Sequence, residues 1–262
     1  MRWAVVSDIH GNLPALQAVL SEIAREQVDG IVNLGDIVSG PLWPAETAAR
    51  LRALAWPTIA GNHERQLLTL PRERMSHADA FAAARLSDED RAWLGALPAT
   101  LDLGRGVWCC HGSPTSDLEY FLETVTPDLG QHGSPGAVGV RAARADEVAT
   151  RLGAVTAPLV LCGHTHMPRM MRSGDTLIVN PGSVGLPAFD DNRPFAHLME
   201  TGTPHARWAL VERSAAGWQA QLRATVYDWN AAASRAEANG RGDWADALRT
   251  GRVGRLEAEV CR

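Results

Sequence analysis

The architecture of this chain is predicted from its N-terminal stretch, Trp3-Ala4-Val5-Val6-Ser7-Asp8-Ile9-His10-Gly11-Asn12. Residues 3–7 form a short apolar run rich in valine, which predicts a buried strand. Asn12 is suited to cap a helix over residues 13–25, and Pro14 falls in the first turn, where proline is tolerated. Apolar residues recur at helical spacing along this segment, so one helix face is predicted to pack on a sheet.

The alternation of strand and helix continues beyond this stretch. Further strands are predicted at residues 30–34, 57–60, 107–110 and 158–162, and helices at 45–54 and within 64–97. This order indicates βαβ units and a largely parallel sheet. The later part of the chain predicts a hairpin over 169–179, strands at 195–199, 206–211 and 218–226, and a helical tail from residue 228. No segment resembles a flexible linker, so we predict a single α/β (α+β) domain over residues 1–262.

Composition narrows the classes of function. Of 262 residues, 45% are hydrophobic and 21% are charged, as in an ordinary globular protein. The formal net charge of −5 argues against binding driven by a nucleic-acid backbone, so a nucleic-acid partner is not expected. No apolar run is long enough to cross a membrane, and four cysteines, two of them adjacent, do not form a disulfide framework. We therefore expect a cytoplasmic protein with no membrane partner.

Polar side chains follow five of the predicted strands. The clusters are Asp8-Ile9-His10, Gly35-Asp36, Gly61-Asn62-His63-Glu64, His111-Gly112 and Gly163-His164-Thr165-His166. Ligands of open α/β sheets bind at the carboxyl ends of the strands, so these five segments are predicted to converge on one site. Taken singly, each residue has an ordinary structural explanation, such as a helix cap, a turn or a surface histidine. The coincidence of all five favours a functional site.

The residue types indicate a metal centre. Seven side chains offer carboxylate, amide or imidazole donors: Asp8, His10, Asp36, Asn62, His111, His164 and His166. Such donors suit Mn, Fe, Co, Ni or Zn, and seven exceed the needs of one ion, so two divalent transition-metal ions are predicted. The i, i+2 spacing within the first and last clusters would place both side chains of each pair on the same side of an extended backbone.

In order and in composition, these motifs resemble the signature of the calcineurin-like metallophosphoesterases. The further stretches Gly40-Pro41 and Asn180-Pro181-Gly182-Ser183-Val184-Gly185 are similar to the small bacterial and archaeal phosphodiesterase branch of that superfamily. The resemblance covers most of the chain, from Val5 to about Val226. It implies a four-layer α/β/β/α sandwich of two mixed sheets flanked by helices.

The resemblance also implies a division of roles among the site residues. Asp8, His10 and His166 would hold one ion, Asn62, His111 and His164 the other, and Asp36 would bridge the two. A hydroxide shared by the ions would attack phosphorus, and His63 would bind a phosphate oxygen and protonate the leaving group. The implied activity is hydrolysis of a phosphodiester or phosphomonoester in a small, nucleotide-like substrate.

Several alternatives stay open at this point. In the branches that act on phosphoproteins or dinucleoside polyphosphates, an aspartate three residues after the bridging one orients the acid histidine, whereas Ser39 occupies that position here. The missing carboxylate would lower the tendency of His63 to stay protonated and disfavours those two activities. A nuclease is disfavoured by the acidic balance. A non-catalytic metal-binding scaffold is disfavoured because all seven donors and His63 are present.

Two variable regions, 65–97 and 115–140, are expected to form the cap of the site. The second contains His132, in a tetrapeptide that repeats the one at His111. We assign the ligand role to His111, because a predicted buried strand precedes it, and treat His132 as either a bystander or a substrate-facing residue. The helical tail, 228–262, carries Trp229 and Trp244 and buries its apolar face either in its own chain or in a second subunit.

Overall fold

The computed structural model describes residues 1–127 and 139–260. The strands in these ranges are β1 (Arg2–Val6), β2 (Gly30–Asn33), β3 (Thr100–Gly104), β4 (Val107–Cys110), β5 (Glu123–Val125), β6 (Val140–Ala142), β7 (Leu159–Leu161), β8 (Arg169–Ser173), β9 (Thr176–Asn180), β10 (Ala188–Asp191), β11 (His197–Glu200), β12 (Ala206–Ser214) and β13 (Gly217–Thr225). The helices there are α1 (Leu13–Ile23), α2 (Pro44–Leu54), α3 (Asn62–Thr69), a 3₁₀ turn (Arg72–Arg74), α4 (His77–Ala83), α5 (Asp88–Gly95), α6 (Ala145–Leu152), α7 (Trp229–Ala238), α8 (Gly242–Thr250) and α9 (Glu257–Val260).

The strands form two main sheets, and both are mixed. The first has the order β13-β12-β1-β2, in which β1 is parallel to β2 and antiparallel to β12. The second has the order β3-β4-β7-β9-β8, in which β4, β7 and β9 run parallel and the two edge strands run antiparallel. Two small ribbons, β5-β6 and β10-β11, complete the strands that are described.

Successive side chains of a strand point to opposite faces of its sheet, and in each main sheet both faces are buried. In β1, Val5 packs between the sheets, whereas Ala4 and Val6 pack against helices. In β7, Leu159 and Leu161 face the first sheet and Val160 faces the opposite side. Strands buried on both faces carry continuous apolar runs, which explains the valine-rich segments of the sequence.

Helices cover the outer face of each sheet. Helices α1, α2, α7 and α8 contribute to the apolar cluster on the outer side of the first sheet, and α6 packs on the second. Asn12 caps α1 as predicted, since its side-chain oxygen accepts a hydrogen bond from the amide of Ala15 at 3.2 Å. The predicted four-layer α/β/β/α sandwich is therefore confirmed.

Two local predictions were wrong, and a third was confirmed with added breaks. The strand predicted at residues 57–60 is reduced to one parallel bridge between Asn33 and Thr58, because Pro57 has no amide hydrogen and the amide of Ala60 bonds to Pro98 outside the sheet. The region predicted to be helical within 64–97 is helical, but it is divided into α3, the 3₁₀ turn, α4 and α5. The predicted loop 115–140 contains β5. His132 lies outside the described residues.

The C-terminal tail packs on its own chain. Helices α7 and α8 pack against each other, Trp244 is buried in the outer apolar cluster of the first sheet, and Trp229 packs against that cluster. A second subunit is thus not needed to bury these rings. In the part of the chain that is described, no helix has the length and apolarity that crossing a bilayer requires.

Candidate active site

The loops at the carboxyl ends of the strands bring all seven predicted donors together. Asp8 and His10 follow β1, Asp36 follows β2, and His111 follows β4. Asn62 is the first residue of α3, which starts shortly after the single bridge at Thr58. The loop after β7 supplies His164 and His166.

The carboxylates and imidazoles fall into two neighbouring groups. One contains Asp8, His10 and His166, and the other contains Asp36, His111 and His164. Within each group the available ligand atoms lie within 4.8 Å of one another. The side-chain oxygen of Asn62 lies 3.2 Å from His111 Nε2, which places this amide beside the second group. The groups adjoin, because Asp8 Oδ1 is 4.0 Å from His111 Nε2.

Each of the four histidines has one ring nitrogen held by a backbone carbonyl. The Nδ1–H groups of His10, His111 and His166 donate to the carbonyls of Ser39, Leu34 and Leu186, each at 2.7 Å. His164 instead uses Nε2, which lies 3.2 Å from the carbonyl of Leu118. In these tautomers a lone pair is left on Nε2 of the first three rings and on Nδ1 of His164. Such partners orient imidazoles that ligate metals.

The free atoms of the first group fit a cation. His10 Nε2 and His166 Nε2 are 3.0 Å apart, although in the tautomers set by the carbonyls neither carries a hydrogen. Asp8 Oδ1 is fully buried, has no hydrogen-bond partner, and lies 3.4 Å from His166 Nε2. Two lone pairs and a buried carboxylate oxygen facing one another are costly unless a positive charge lies among them. These residues therefore suit a divalent ion.

Both carboxylates use one oxygen for support and leave the other for the site. Asp8 Oδ2 accepts a hydrogen bond from the amide of His164 at 3.2 Å, and Asp36 Oδ1 accepts one from the amide of His63 at 3.0 Å. Asp36 Oδ2 faces His111 Nε2 at 3.1 Å. Backbone donors thus fix the direction in which the second oxygen of each carboxylate points.

The protonation equilibria of two imidazoles and one carboxylate also suit metal binding, whereas His111 is an exception. Burial lowers the pKa of His111, but the carboxylate of Asp36 outweighs it and raises that pKa to about 9, so a metal ion would have to displace a proton from this ring. Burial and the neighbouring His166 lower the pKa of His10 to about 4. Burial and the neighbouring His111 lower the pKa of His164 to about 3. Burial opposes ionisation of Asp36, but the adjacent imidazoles outweigh it and hold the pKa of that carboxyl well below its usual range. Neutral imidazoles and ionised carboxylates are the forms that bind metals.

The backbone at five donors is not extended. Positive φ angles of 51° to 69° occur at Asp8, His10, Asp36, His164 and His166. The expectation that the i, i+2 pairs lie on extended backbone was therefore wrong. Asp8 and His10 still share a group, but His164 and His166 are divided between the two groups. The left-handed residues turn the chain sharply at each strand end, which brings side chains from separate loops within reach of one another.

Close backbone packing explains why glycine precedes three of the donors. A Cβ atom on Gly61 would lie 2.2 Å from Asp36 Oδ1, and one on Gly163 would lie 2.1 Å from the Ser7 hydroxyl. A Cβ atom on Gly35 would collide with the backbone nitrogen of Gly61. The buried side chain of Glu64 connects two of these loops, since its carboxylate accepts hydrogen bonds from the amides of Asp36, Ile37 and Gly61 at 2.8–2.9 Å. Glu64 belongs to the motif Gly61-Asn62-His63-Glu64, but its sequence context predicts no role for it.

His63 lies at the edge of the donor groups. Its Nε2 is 4.0 Å from Asp36 Oδ2, and its Nδ1 lies 2.8 Å from Asp79 Oδ1 on α4. Burial alone would lower the pKa of His63, but the carboxylates of Asp36 and Asp79 outweigh it and raise that pKa to about 10. The expectation that His63 lacks an orienting carboxylate, because position 39 is a serine, was therefore wrong. No motif marked Asp79, which lies in the alanine-rich segment of α4.

A cavity of about 700 Å³ opens over the donor groups. Its wall includes His63, the aromatic rings of Tyr120, Phe189 and Trp244, and the arginines Arg151 and Arg193. The carboxylates that line it, apart from Asp36, are Glu119, Glu123, Asp190, Asp191 and Glu257. Arg151 is already bonded to the carbonyls of Phe121 and Glu123. The cavity thus has an aromatic and acidic wall beyond the donors.

Known proteins share this arrangement of sequence and fold. A family profile described as the calcineurin-like phosphoesterase superfamily domain matches residues 1–203. The chain belongs to the calcineurin-like phosphoesterase superfamily. The predicted resemblance is thereby confirmed at the level of the family, which implies divalent metal ions and phosphoesterase chemistry.

Relatives from bacteria and archaea support the membership. An uncharacterized protein of Methanocaldococcus jannaschii, MJ0912, is 26% identical over 211 residues, which cover 70% of this chain and 76% of the relative. The crystal structure of a metallophosphoesterase from Sphaerobacter thermophilus has a TM-score of 0.73 at 26% identity and covers 96% of this chain and 100% of the other. Hypothetical protein PH1004 of Pyrococcus horikoshii, at 19% identity, shares the fold with a TM-score of 0.71 and coverages of 95% and 98%.

Proposed function

We propose that this member of the superfamily is a hydrolase that uses two divalent metal ions to cleave a phosphodiester or phosphomonoester of a small, nucleotide-like substrate. The observation that carries the proposal is the presence of two adjoining donor groups and His63 in the wall of one cavity. We place the reaction in the cytoplasm, where the free, buried thiols of Cys109, Cys110 and Cys162 would stay reduced.

The ligand assignment follows the two donor groups. Asp8, His10 and His166 would hold one ion, Asn62, His111 and His164 the other, and Asp36 would be shared. When bound, such ions lower the pKa of water to near neutrality and neutralise charge on a phosphoryl group. Manganese, iron, cobalt, nickel and zinc all suit this set of nitrogen and oxygen donors.

The remaining chemistry falls to side chains of the chain itself. His63 has its Nδ1 engaged by Asp79 and its Nε2 on the side of the donor groups, so Nε2 is placed to give a proton to the departing ester oxygen. Such a general acid contributes about 10²–10⁴-fold to the rate. The rings of Phe189 and Trp244 close the wall next to His166 and His10, which limits the access of bulk water.

The charge of the cavity supports a substrate with one phosphoryl group. Beyond the donors, the described wall has more carboxylates than arginines. Two of these carboxylates, Glu123 and Glu257, are paired with arginines outside the wall. The acidic character of the wall therefore comes from the others: Glu119, Asp190 and Asp191. Additional phosphates would therefore meet negative charge, whereas an uncharged nucleoside fits the aromatic rings. Ser39 no longer disfavours a dinucleoside-polyphosphate phosphatase, because Asp79 supplies the carboxylate beside His63. The charge of the cavity wall disfavours that activity instead.

The test is metal-dependent hydrolysis of two chromogenic esters. We expect the protein to cleave bis-p-nitrophenyl phosphate or p-nitrophenyl phosphate in the presence of Mn, Ni, Co or Zn, and the preferred ester identifies the diester or monoester activity. Asp36→Ala should reduce the rate more than His63→Ala, because the first removes a shared ligand and the second removes a proton donor. Absence of turnover with every metal, despite two bound ions, would support a non-catalytic scaffold instead.

A further inference from the structure

We propose that Asp79 positions His63 for proton donation and that Ser39 holds Asp79 in place, so that α4 supplies a working part of the site. This inference rests on the proposed function. It assigns a role in the reaction to the segment 65–97, which on sequence grounds is only a variable cap.

The hydrogen bonds of Asp79 form a closed set. Its carboxylate is on a residue that is only 1% exposed, and both oxygens are engaged. Oδ1 accepts from His63 Nδ1 at 2.8 Å and from the Ser39 hydroxyl at 2.7 Å, while Oδ2 accepts from the Ser76 hydroxyl at 2.8 Å. Ser76 in turn caps α4, because its hydroxyl accepts from the Asp79 amide at 3.0 Å.

This set fixes both the tautomer and the direction of the His63 ring. A hydrogen on Nδ1 is required to donate to Asp79, so Nε2 is the nitrogen left for the cavity. A buried carboxylate without its donors is costly, which makes the alternative ring orientation unfavourable. Two serines from different segments hold the carboxylate, and the ring therefore follows the carboxylate rather than the reverse.

The other carboxylates near His63 are committed elsewhere. Asp36 receives the His63 amide on one oxygen and faces His111 with the other. Both oxygens of Glu64 accept hydrogen bonds from backbone amides. Asp79 is thus the carboxylate available to the Nδ1 side of the ring.

The geometry also predicts that positions 39 and 79 are exchangeable. The Ser39 hydroxyl and His63 Nδ1 converge on the same oxygen, Asp79 Oδ1. An aspartate at position 39 extends beyond the serine hydroxyl into the space that Asp79 Oδ1 occupies. A carboxylate supplied from position 39 should therefore restore the interaction when position 79 carries only a serine.

The first experiment compares esters with good and poor leaving groups. We expect Asp79→Asn to lower kcat about 10–100-fold on an alkyl ester, whose oxygen needs a proton, and only a few-fold on the p-nitrophenyl ester. Ser39→Ala, which keeps the Asp79 carboxylate, should also lower kcat more on the alkyl ester than on the p-nitrophenyl ester, but by a smaller factor. Adding Asp79→Asn to the His63→Asn variant should not lower kcat any further, because Asp79 acts only through His63.

The second experiment does not depend on turnover. In protein loaded with zinc and labelled with ¹⁵N-histidine, the hydrogen-bonded Nδ1–H of His63 should give a resonance that His63→Asn identifies. It should be lost in Asp79→Ala and Asp79→Ser, which withdraw the acceptor oxygen from the ring, and return in the double variant Ser39→Asp/Asp79→Ser, together with activity on the alkyl ester. Melting curves of each variant check that it folds.

The outcomes separate the two proposals. Equal losses on both esters, additive effects with His63→Asn, or an Nδ1–H resonance that persists in Asp79→Ala would overturn the positioning role. A wild-type protein that cleaves neither ester while the resonance behaves as expected would overturn the proposed hydrolysis but leave the contact between Asp79 and His63 established.

Discussion

Five donor residues keep their backbone in the left-handed region, where a side chain other than glycine is disfavoured by about 1–2 kcal/mol. The geometry of the site therefore has an energetic cost that is independent of ligand binding. Strain of this kind persists only where the surrounding structure imposes it, and it is concentrated at functional positions. Here the surrounding contacts are the carbonyls and amides that hold each ring and carboxylate.

The strain can be measured at His164, which has a φ of 69° and is not fully buried. Both His164→Gly and His164→Ala remove the imidazole, but only alanine keeps a Cβ in the left-handed region. In the presence of a chelator we expect the free energy of unfolding to be about 0.5–1 kcal/mol higher for the glycine variant, measured by urea denaturation.

A substitution at a right-handed helical position provides the control. Ala231→Gly, at an exposed position of α7, should lower the free energy of unfolding by about 1 kcal/mol. If alanine at position 164 is as stable as glycine or more stable, the backbone there is not strained and the turn needs another explanation.

At the scale of elements, the approach of α3 to the loop after β2 sets the position of Asp36. Gly61→Ala would place a methyl group 2.2 Å from Asp36 Oδ1 and 2.7 Å from the Asp36 amide nitrogen. Because the amide belongs to the backbone, the loop must shift. We expect a loss of about 1–3 kcal/mol in stability and the loss of at least one bound ion, measured by metal analysis of the purified protein.

Gly95→Ala is the control, since this glycine also lies at a helix terminus, as the last residue of α5. The nearest atom to its added Cβ is Leu68 Cδ1 at 3.8 Å, which is ordinary contact. Metal content should be unchanged and stability equal or slightly higher. Full metal content in Gly61→Ala would show that the Asp36 loop accommodates the methyl group without losing its ligand geometry.

Some elements of the fold could be predicted from the sequence, and others could not. Val107–Cys110 matched its predicted bounds because an apolar run buried on both faces is a strong local signal. The prediction of a strand at residues 57–60 was wrong because a strand needs backbone hydrogen bonds to a neighbouring strand, and composition alone does not determine them. Asp79 could not have been found, since its role depends on a tertiary contact with His63, 16 residues earlier, and α4 reads as an ordinary alanine-rich helix.

For the whole molecule, metal binding and folding should be linked. Asp8 Oδ1 is buried without a hydrogen-bond partner, and the lone pairs of His10 and His166 face each other, so a bound cation stabilises the folded state selectively. At an ion concentration about 100 times Kd each site adds about 2.7 kcal/mol, which raises the melting temperature by about 5–10 °C. Calorimetry with Mn and with a chelator measures the shift, which should be smaller for Asp36→Ala. Equal melting temperatures in both conditions would argue against the metal centre.

The charge of the whole molecule and that of the cavity act in the same direction. A net charge of −5 and a wall that carries Glu119 and Asp191 both repel anions, whereas the proposed ions, His63 and the arginines of the wall attract the phosphoryl group that reacts. We expect kcat/KM to be about tenfold lower for a dinucleoside tetraphosphate than for the p-nitrophenyl ester of a nucleoside monophosphate, which has a single negative charge.

The double variant Glu119→Gln/Asp191→Asn should raise kcat/KM about two- to fivefold for the tetraphosphate alone. Glu212→Gln, an exposed change on β12, should alter neither value. Because the effect is electrostatic, the difference between the two substrates should shrink as salt is raised. Preferential cleavage of the tetraphosphate at low salt would mean that its phosphates follow a path away from this wall, and the polyphosphatase activity would then be favoured.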